Sequence, residues 1–324
     1  MGGAVEVKRL WGVQTLAAAR LRAWERLLIG MMAIGGLSAF PLLLPSPYVV
    51  QAVDVLLACL LAASLNLLVG YGGMLSLGHA AFFGVGGYVA GILVKRLGIP
   101  WFATVGVGTV VAALAAAGIG YFCVRLAGAY FVMLTLAFGQ LLYTVFWKWK
   151  ELTGGDDGLT DVFPPAPWTD PVVYYYLVLL VVGLALWGLW RVCASPFGAA
   201  LKAVRDSPHR AEAVGIPVRR VQWAAFTLSG GLAGLAGALF VFHHGSMFPK
   251  VAGWQSSAEA ALMVVLGGPE RFVGPLVGAV VIKTLAFLVP RATPYWQFFL
   301  GVLLVLAAFL APRGLVEMRG GRRR

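Results

Sequence analysis

Acidic residues are scarce in this chain. Asp and Glu supply 13 of 324 positions, and charged residues of either sign only 12%. Titratable groups are too sparse for an acid–base pair to be read from the sequence. Cysteine is scarcer still: Cys59, Cys123 and Cys193 lie far apart, in or at the ends of apolar runs. Neither a disulfide framework nor a metal cluster is implied. There is no Gly-x-x-x-x-Gly-Lys-Ser/Thr phosphate loop, which excludes ATP hydrolysis by that route. His-Glu-x-x-His and Gly-x-Ser-x-Gly are missing too, and with them the zinc-protease and serine-hydrolase readings. The expectation is a protein that is not an enzyme, with no catalytic residue, no metal site and no cofactor.

What the chain has instead is apolar surface. It is 60% hydrophobic and carries 42 glycines. A soluble domain cannot bury that much apolar area and still hydrate its surface. Repeated apolar runs of about 18 residues or more indicate an all-α polytopic membrane protein. About ten transmembrane segments (eight to ten) are expected, near 27–44, 49–69, 74–94, 101–124, 129–147, 172–191, 221–242, 257–267, 272–289 and 296–311. The 257–267 run is short and 74–94 is interrupted by glycines, so these are the two weakest as full crossings. The net charge of +12 falls in clusters between the apolar runs. It therefore reads as a topology signal and not as a nucleic-acid footprint. Ten crossings beginning inside leave 18 of the 25 Lys and Arg residues cytoplasmic and 6 external, with Lys283 inside a span. Removing one span would put a basic terminus outside, so an even count with both termini cytoplasmic is expected. Residues 1–26 form an amphipathic lead-in, with Trp11 and Trp24 among basic residues, that lies on the membrane as a retained anchor. Residues 27–312 form the transmembrane domain with a cytoplasmic loop at 193–220, and 313–324 a basic tail.

Two glycine-rich stretches sit at membrane depth. One runs from Asn66 through Gly70, Gly72, Gly73, Ser76 and His79 to Gly91. The other runs from Leu266 through Gly267, Gly268 and Pro269 to Gly278. Interrupted helices in two halves of a chain point to a transport pathway. Plain packing is the competing account, because Gly87/Gly91, Gly230/Gly234 and Gly274/Gly278 all have four-residue spacing. Polar residues within spans are few: Asp54, Asn66, Ser76, His79, Gln140, Glu259 and Lys283. Asp54 and Glu259 can reach the interface and Lys283 can snorkel. His79 reads as a neutral residue donating to a carbonyl. His243 and His244 are adjacent on a helix, share no face and mark the outer end of a span. Asp156-Asp157-Gly158, in the external 148–171 loop, lacks EF-hand spacing and reads as a tight turn.

The one charged, amphipathic island is Ser195–Pro217. Ser195-Pro196 and Ser207-Pro208 are two helix starts and Gly215 a stop. Two helices are expected, about 196–206 and 208–214, with Ala199, Ala200, Ala203 and Val204 on one face of the first. The island is either a solvated loop or a docking surface.

Several blocks in one order resemble the branched-chain amino acid ABC importer permease family, in its LivM-like branch. They are Ser64–Gly84, Thr153–Leu159, Ser195–Gly198 through Ala211–Ile216, Leu266–Gly268 with Gly274-Pro275, and Ala311–Leu315. The resemblance implies a prokaryotic plasma-membrane permease subunit whose substrate arrives from an external binding protein. Its implied partners are ABC ATPase subunits, a second related permease subunit and membrane lipid. It implies a coupling loop with Ala203, Val204, Arg205, Asp206, Ser207, Glu212 and Gly215 at the motor contact. Asn66, Gly72, Gly73, Ser76, His79, Gly267 and Gly268 are the candidate pathway residues. A urea or short-chain amide permease of the same family and an ion-coupled secondary carrier stay open beside it, as does a non-transporting scaffold.

Overall fold

A chain this apolar must satisfy its backbone groups within each segment, and helices do so. In the computed structural model, residues 45–291 are described, with Pro41, Phe298 and Gly301 besides. The lead-in, the tail and the expected spans at 27–44 and 296–311 lie outside the described residues. Residues 50–324 form one unit and residues 1–49 another. Among the described residues the long elements are α1 (Ser46–Asn66), α2 (His79–Leu97), α3 (Trp101–Cys123), α4 (Ala129–Lys148), α5 (Pro171–Ala194) and α8 (Val218–His244). Between α5 and α8 lie α6 (Pro196–Asp206) and α7 (Pro208–Ala213). After α8 come α9 (Trp254–Gly267) and α10 (Gly274–Leu288).

Among the described residues, six helices are long and apolar enough to cross a membrane, α1 being counted through Tyr71. Helices stand at the expected crossings 257–267 and 272–289, but they are short: α9 has 14 residues and α10 has 15. At about 1.5 Å per residue neither covers a hydrocarbon core of about 30 Å. They form a helical hairpin, folded at Gly268, whose φ of +103° is open to glycine. The expected 74–94 span is present with shifted bounds: α2, one of the six, starts only at His79 and runs to Leu97. Ahead of it α1 widens into a π-turn, Leu67–Tyr71, and Gly72–Gly78 is non-helical.

The core is an interlock of α2, α3 and α8 through small residues. A Cβ on Gly234 would strike Ala112, and one on Gly86 would strike the Gly234 carbonyl. A Cβ on Gly230 would strike Ala116. The four-residue spacing of Gly230/Gly234 thus meets that of Ala112/Ala116, which is the packing account of these glycines.

Element ends collect at two opposite faces. At one, the non-helical Gly72–Leu75 that follows the π-turn meets the α3–α4 link and α6. At the other, Leu159 N and O pair with Met247 at 2.9 and 2.7 Å, and Lys95 Nζ donates to Thr160 O. Trp101, Trp168, Tyr174, Phe242 and His243 pack there as rings. The expected tight turn is there too: Thr153 Oγ1 donates to Phe146 O at 2.6 Å, and Gly154, Gly155 and Gly158 all have positive φ.

The interlock sets a steric test. Gly234→Val should destabilise the purified protein by about 1–3 kcal/mol, the usual cost of overpacking, read as a lower thermal midpoint in detergent. Gly118→Val, at a position with open space around it, should leave the midpoint unchanged.

Candidate functional site: a helical elbow on a broken helix

Start from α6. Pro196 opens it and Ser207-Pro208 closes it and opens α7, so the two helices meet at an elbow. The Ser207 hydroxyl caps α7, accepting from Arg210 N at 3.4 Å. The expected cap at Ser195 is corrected: its hydroxyl donates back to Val192 O at 2.7 Å and does not cap α6. The expected apolar face is corrected too. Ala199 and Ala203 are exposed, whereas Gly198, Leu201 and Val204 are buried. Leu201 decides the orientation, since it outweighs alanines in buried apolar area. It enters a cluster with Leu68, Tyr71, Met74, Phe131, Cys193 and Phe226, against which Phe197 also packs.

Of the expected coupling residues, Val204 therefore faces inward, with Ala211 and Val218. Ala203, Asp206, Glu212 and Gly215 are exposed. Gly215 takes φ +85°, and its N–H donates to Glu212 O at 2.9 Å, which ends α7. Val214, beside it, is 76% exposed.

Arg205 works differently from the rest. Its Nη1 donates to Gly70 O at 2.6 Å, on the π-turn of α1. Its Nε and Nη2 reach Asp206 Oδ1 at 3.0 and 2.9 Å. Met74, four residues after Gly70, donates to Leu68 O. The guanidinium takes the Gly70 carbonyl that a regular helix would have paired with Met74 N–H. Lys202 adds a second tie, its Nζ standing 4.7 Å from the Tyr71 ring centre. The elbow is thus fastened to the point where α1 breaks.

The candidate pathway residues divide. Gly72 and Gly73 line the cleft between the broken segment and the elbow, with Leu126, Gly128, Arg205 and Pro208. Gly73 has φ +66°, and a Cβ there would press on Arg205. Gly70 touches Pro269 O closely enough to exclude a Cβ, so the two glycine-rich stretches meet. Gly267 and Gly268 are buried at that junction. Asn66, Ser76 and His79 are buried, and Asn66 Oδ1, Ser76 Oγ and His79 Nδ1 have no hydrogen-bond partner among the described residues. His79 does not donate to a carbonyl: its Nε2 meets Ser64 Oγ at 2.9 Å, while that hydroxyl donates to Leu61 O. Ser64 was not legible as a partner, because it sits fifteen residues before His79 and across the break.

Two further corrections concern the opposite face. Lys283 does not snorkel; its Nζ pairs with Glu259 Oε1 at 2.9 Å. His243 and His244 share no helix face, yet both bring Nε2 to Asp54 Oδ1, at 3.9 and 2.9 Å. Together the three could hold a metal ion, but each ring is satisfied without one, His243 Nε2 on Val50 O and His244 Nε2 on Asp54.

Comparison with known proteins identifies the family. Residues 48–308 match the family described as the permease component of branched-chain amino acid transport systems. The chain is 28% identical over 307 residues to the high-affinity branched-chain amino acid transport system permease protein LivM of Escherichia coli. That alignment covers 86% of this chain and 72% of the relative. LivM of Salmonella typhimurium matches at the same identity and coverage. The fructose import permease protein FrcC of Rhizobium meliloti is 32% identical over 146 residues, 42% of this chain and 40% of that one. No solved structure matches.

The Arg205 tie can be cut. Arg205→Met leaves the Gly70 carbonyl without its donor, at a cost of about 1–3 kcal/mol. Amide exchange at Gly72–Met74 should accelerate correspondingly, with Arg205→Lys restoring part of the protection. Unchanged exchange in Arg205→Met would show the tie to be idle.

Proposed function

We propose from one premise: this chain belongs to the family of branched-chain amino acid transport system permease components. Family members are permeases of ATP-driven importers and not their ATPases. On that premise the chain is the membrane-spanning subunit through which an amino acid with a branched aliphatic side chain passes. Its energy comes from ATPase subunits docked on the elbow of α6 and α7. A second, related permease subunit completes the passage, and a binding protein delivers substrate at the opposite face. The membrane is a prokaryotic plasma membrane, crossed with the elbow inside.

The observation that carries this reading is the fastening of an exposed elbow to a broken helix. The elbow has a buried face that grips the bundle, through Leu201 and Val204, and an outer face free for a partner. A motor that binds one elbow position more tightly than another biases the bundle between two states, which is all that a coupled change requires. The break in α1 and the fold between α9 and α10 are the parts able to rearrange, since neither is held by a continuous helical ladder. Basic residues Arg125, Lys202, Arg205, Arg210, Arg219 and Arg220 gather with the elbow, which supports its cytoplasmic side.

The test is coupled uptake. In proteoliposomes holding the complete complex, leucine uptake should require ATP and binding protein. Val214→Glu with Glu212→Lys should remove ATPase co-purification and lower uptake by about tenfold or more, the effect of losing about 1.4 kcal/mol of docking energy. Membrane insertion should be unchanged. Uptake that ignores ATP and follows an ion gradient would mean a secondary carrier, and the docking assignment would fall.

A further inference from the structure

The intramembrane charges opposite the elbow take no part in docking. Asp54, Glu259 and Lys283 line one cleft, together with Leu57, Phe83, Phe240 and Met263 among its apolar residues. Glu259 and Lys283 sit about 7.5 Å inside α9 and α10, counting five rises from each outer end. Charges at such depth are expensive and are functional candidates by default. A mostly apolar cleft with a few convergent polar groups is also the usual anatomy of a small-molecule site.

We infer that this cleft reads both charges of a free amino acid, with Lys283 taking the α-carboxylate, Glu259 and Asp54 the α-ammonium, and the apolar wall the branched side chain. The inference rests on the amino-acid reading above and supplies the specificity residues which that reading leaves open. The charge logic is an exchange of partners. Without substrate, Lys283 and Glu259 neutralise one another at 2.9 Å and are each about 30% exposed to the cleft (29% and 32%). A zwitterion inserted between them meets each with its opposite charge, so neither half-buried charge is left single. Asp54 is already steered by His244, whose Nε2 lies 2.9 Å from Oδ1, and this leaves its other oxygen for an ammonium. A molecule with the same branched chain and only one charge would strand one member of the pair. Loss of a paired charge in a desolvated site is what gives such sites their discrimination.

The competing account is a structural ion pair that only ties α9 to α10. Equilibrium binding of leucine to the permease–ATPase complex, without binding protein, separates the two. Leucine should bind, and 3-methylbutylamine and 4-methylpentanoate should compete at least about tenfold less well. Lys283→Met, Glu259→Gln and the neutral pair Glu259→Gln/Lys283→Gln should each weaken leucine binding about tenfold or more, with the complex still co-purifying intact. The exchanged pair Glu259→Lys/Lys283→Glu restores an ion pair but places it the wrong way round beside Asp54, so it should not recover binding. Full recovery in the exchanged pair, or equal competition by the singly charged analogues, overturns the inference. So does ATP-driven uptake of leucine by a complex that binds none on its own. Charge-dependent leucine binding without ATP-driven uptake would uphold this site and sink the importer reading instead.

Discussion

One hydrogen bond organises the working end of this molecule: Arg205 Nη1 to the carbonyl of Gly70 at 2.6 Å. It exists because α1 does not finish as a regular helix. Widening to a π-turn over Leu67–Tyr71 takes Gly70 out of the ordinary ladder, and a bare carbonyl at membrane depth must find a donor. The elbow supplies it. Glycine is needed at position 70 for a separate reason, since Pro269 O occupies the place of a Cβ. A single residue therefore joins the broken helix, the elbow and the α9–α10 fold, and each of the three constrains the other two.

The strength of that joint limits what it can transmit. A hydrogen bond to a charged group contributes about 1.5–3 kcal/mol, and the Lys202–Tyr71 contact about 0.5–2 kcal/mol. Moving a two-state equilibrium from 1:99 to 99:1 takes about 5.5 kcal/mol. The polar ties together, at about 5 kcal/mol at most, fall short of it. Burial of Leu201 and Val204, at about 1.5–3 kcal/mol each, closes the gap. The apolar grip of α6 is thus the part that bears the load. Arg205 fixes the direction in which it is borne, because a guanidinium fork tolerates little misalignment.

Much of this was legible in the sequence, and the misses have identifiable causes. Ser-Pro pairs and Gly215 located α6 and α7 closely, because capping and positive φ are local properties. The inward face of α6 was misjudged. Ala199 and Ala203 are apolar by composition, yet what the face meets is set by Leu68, Tyr71 and Phe226, far away in sequence. The start of α2 at His79 was hidden for a related reason. Apolarity continues through Gly72–Gly78, and hydropathy does not register a lost helical ladder. Asp54, Glu259 and Lys283 were visible as intramembrane charges, but their pairing was not. Partners separated by 190 residues, as Asp54 and His244 are, leave no trace in spacing.

The two functional ends share one helix. Asp54, Leu57, Ala58 and Leu61 form a wall of the charged cleft, and Gly70 on the same α1 receives Arg205. Sixteen residues separate Asp54 from Gly70, about 24 Å at 1.5 Å per residue, most of the way through a hydrocarbon core. A straight helix cannot be compressed along that length, so a displacement at its broken end reaches the cleft as a rotation or a shift of the wall. The π-turn is what makes such a displacement possible. It holds one residue more per turn than the ladder above it, and such turns are marginal structures that cluster where helices must change register. α2, α3 and α8 cannot follow, because their glycine–alanine interlock leaves no slack for sliding. A movement of α1 or of the α9–α10 hairpin would carry Asp54, Glu259 and Lys283 with it, since these elements bear them. The fold thus sets a close-packed glycine–alanine interlock beside the elements that carry the charges, and Arg205 ties the elbow to α1, one of the latter.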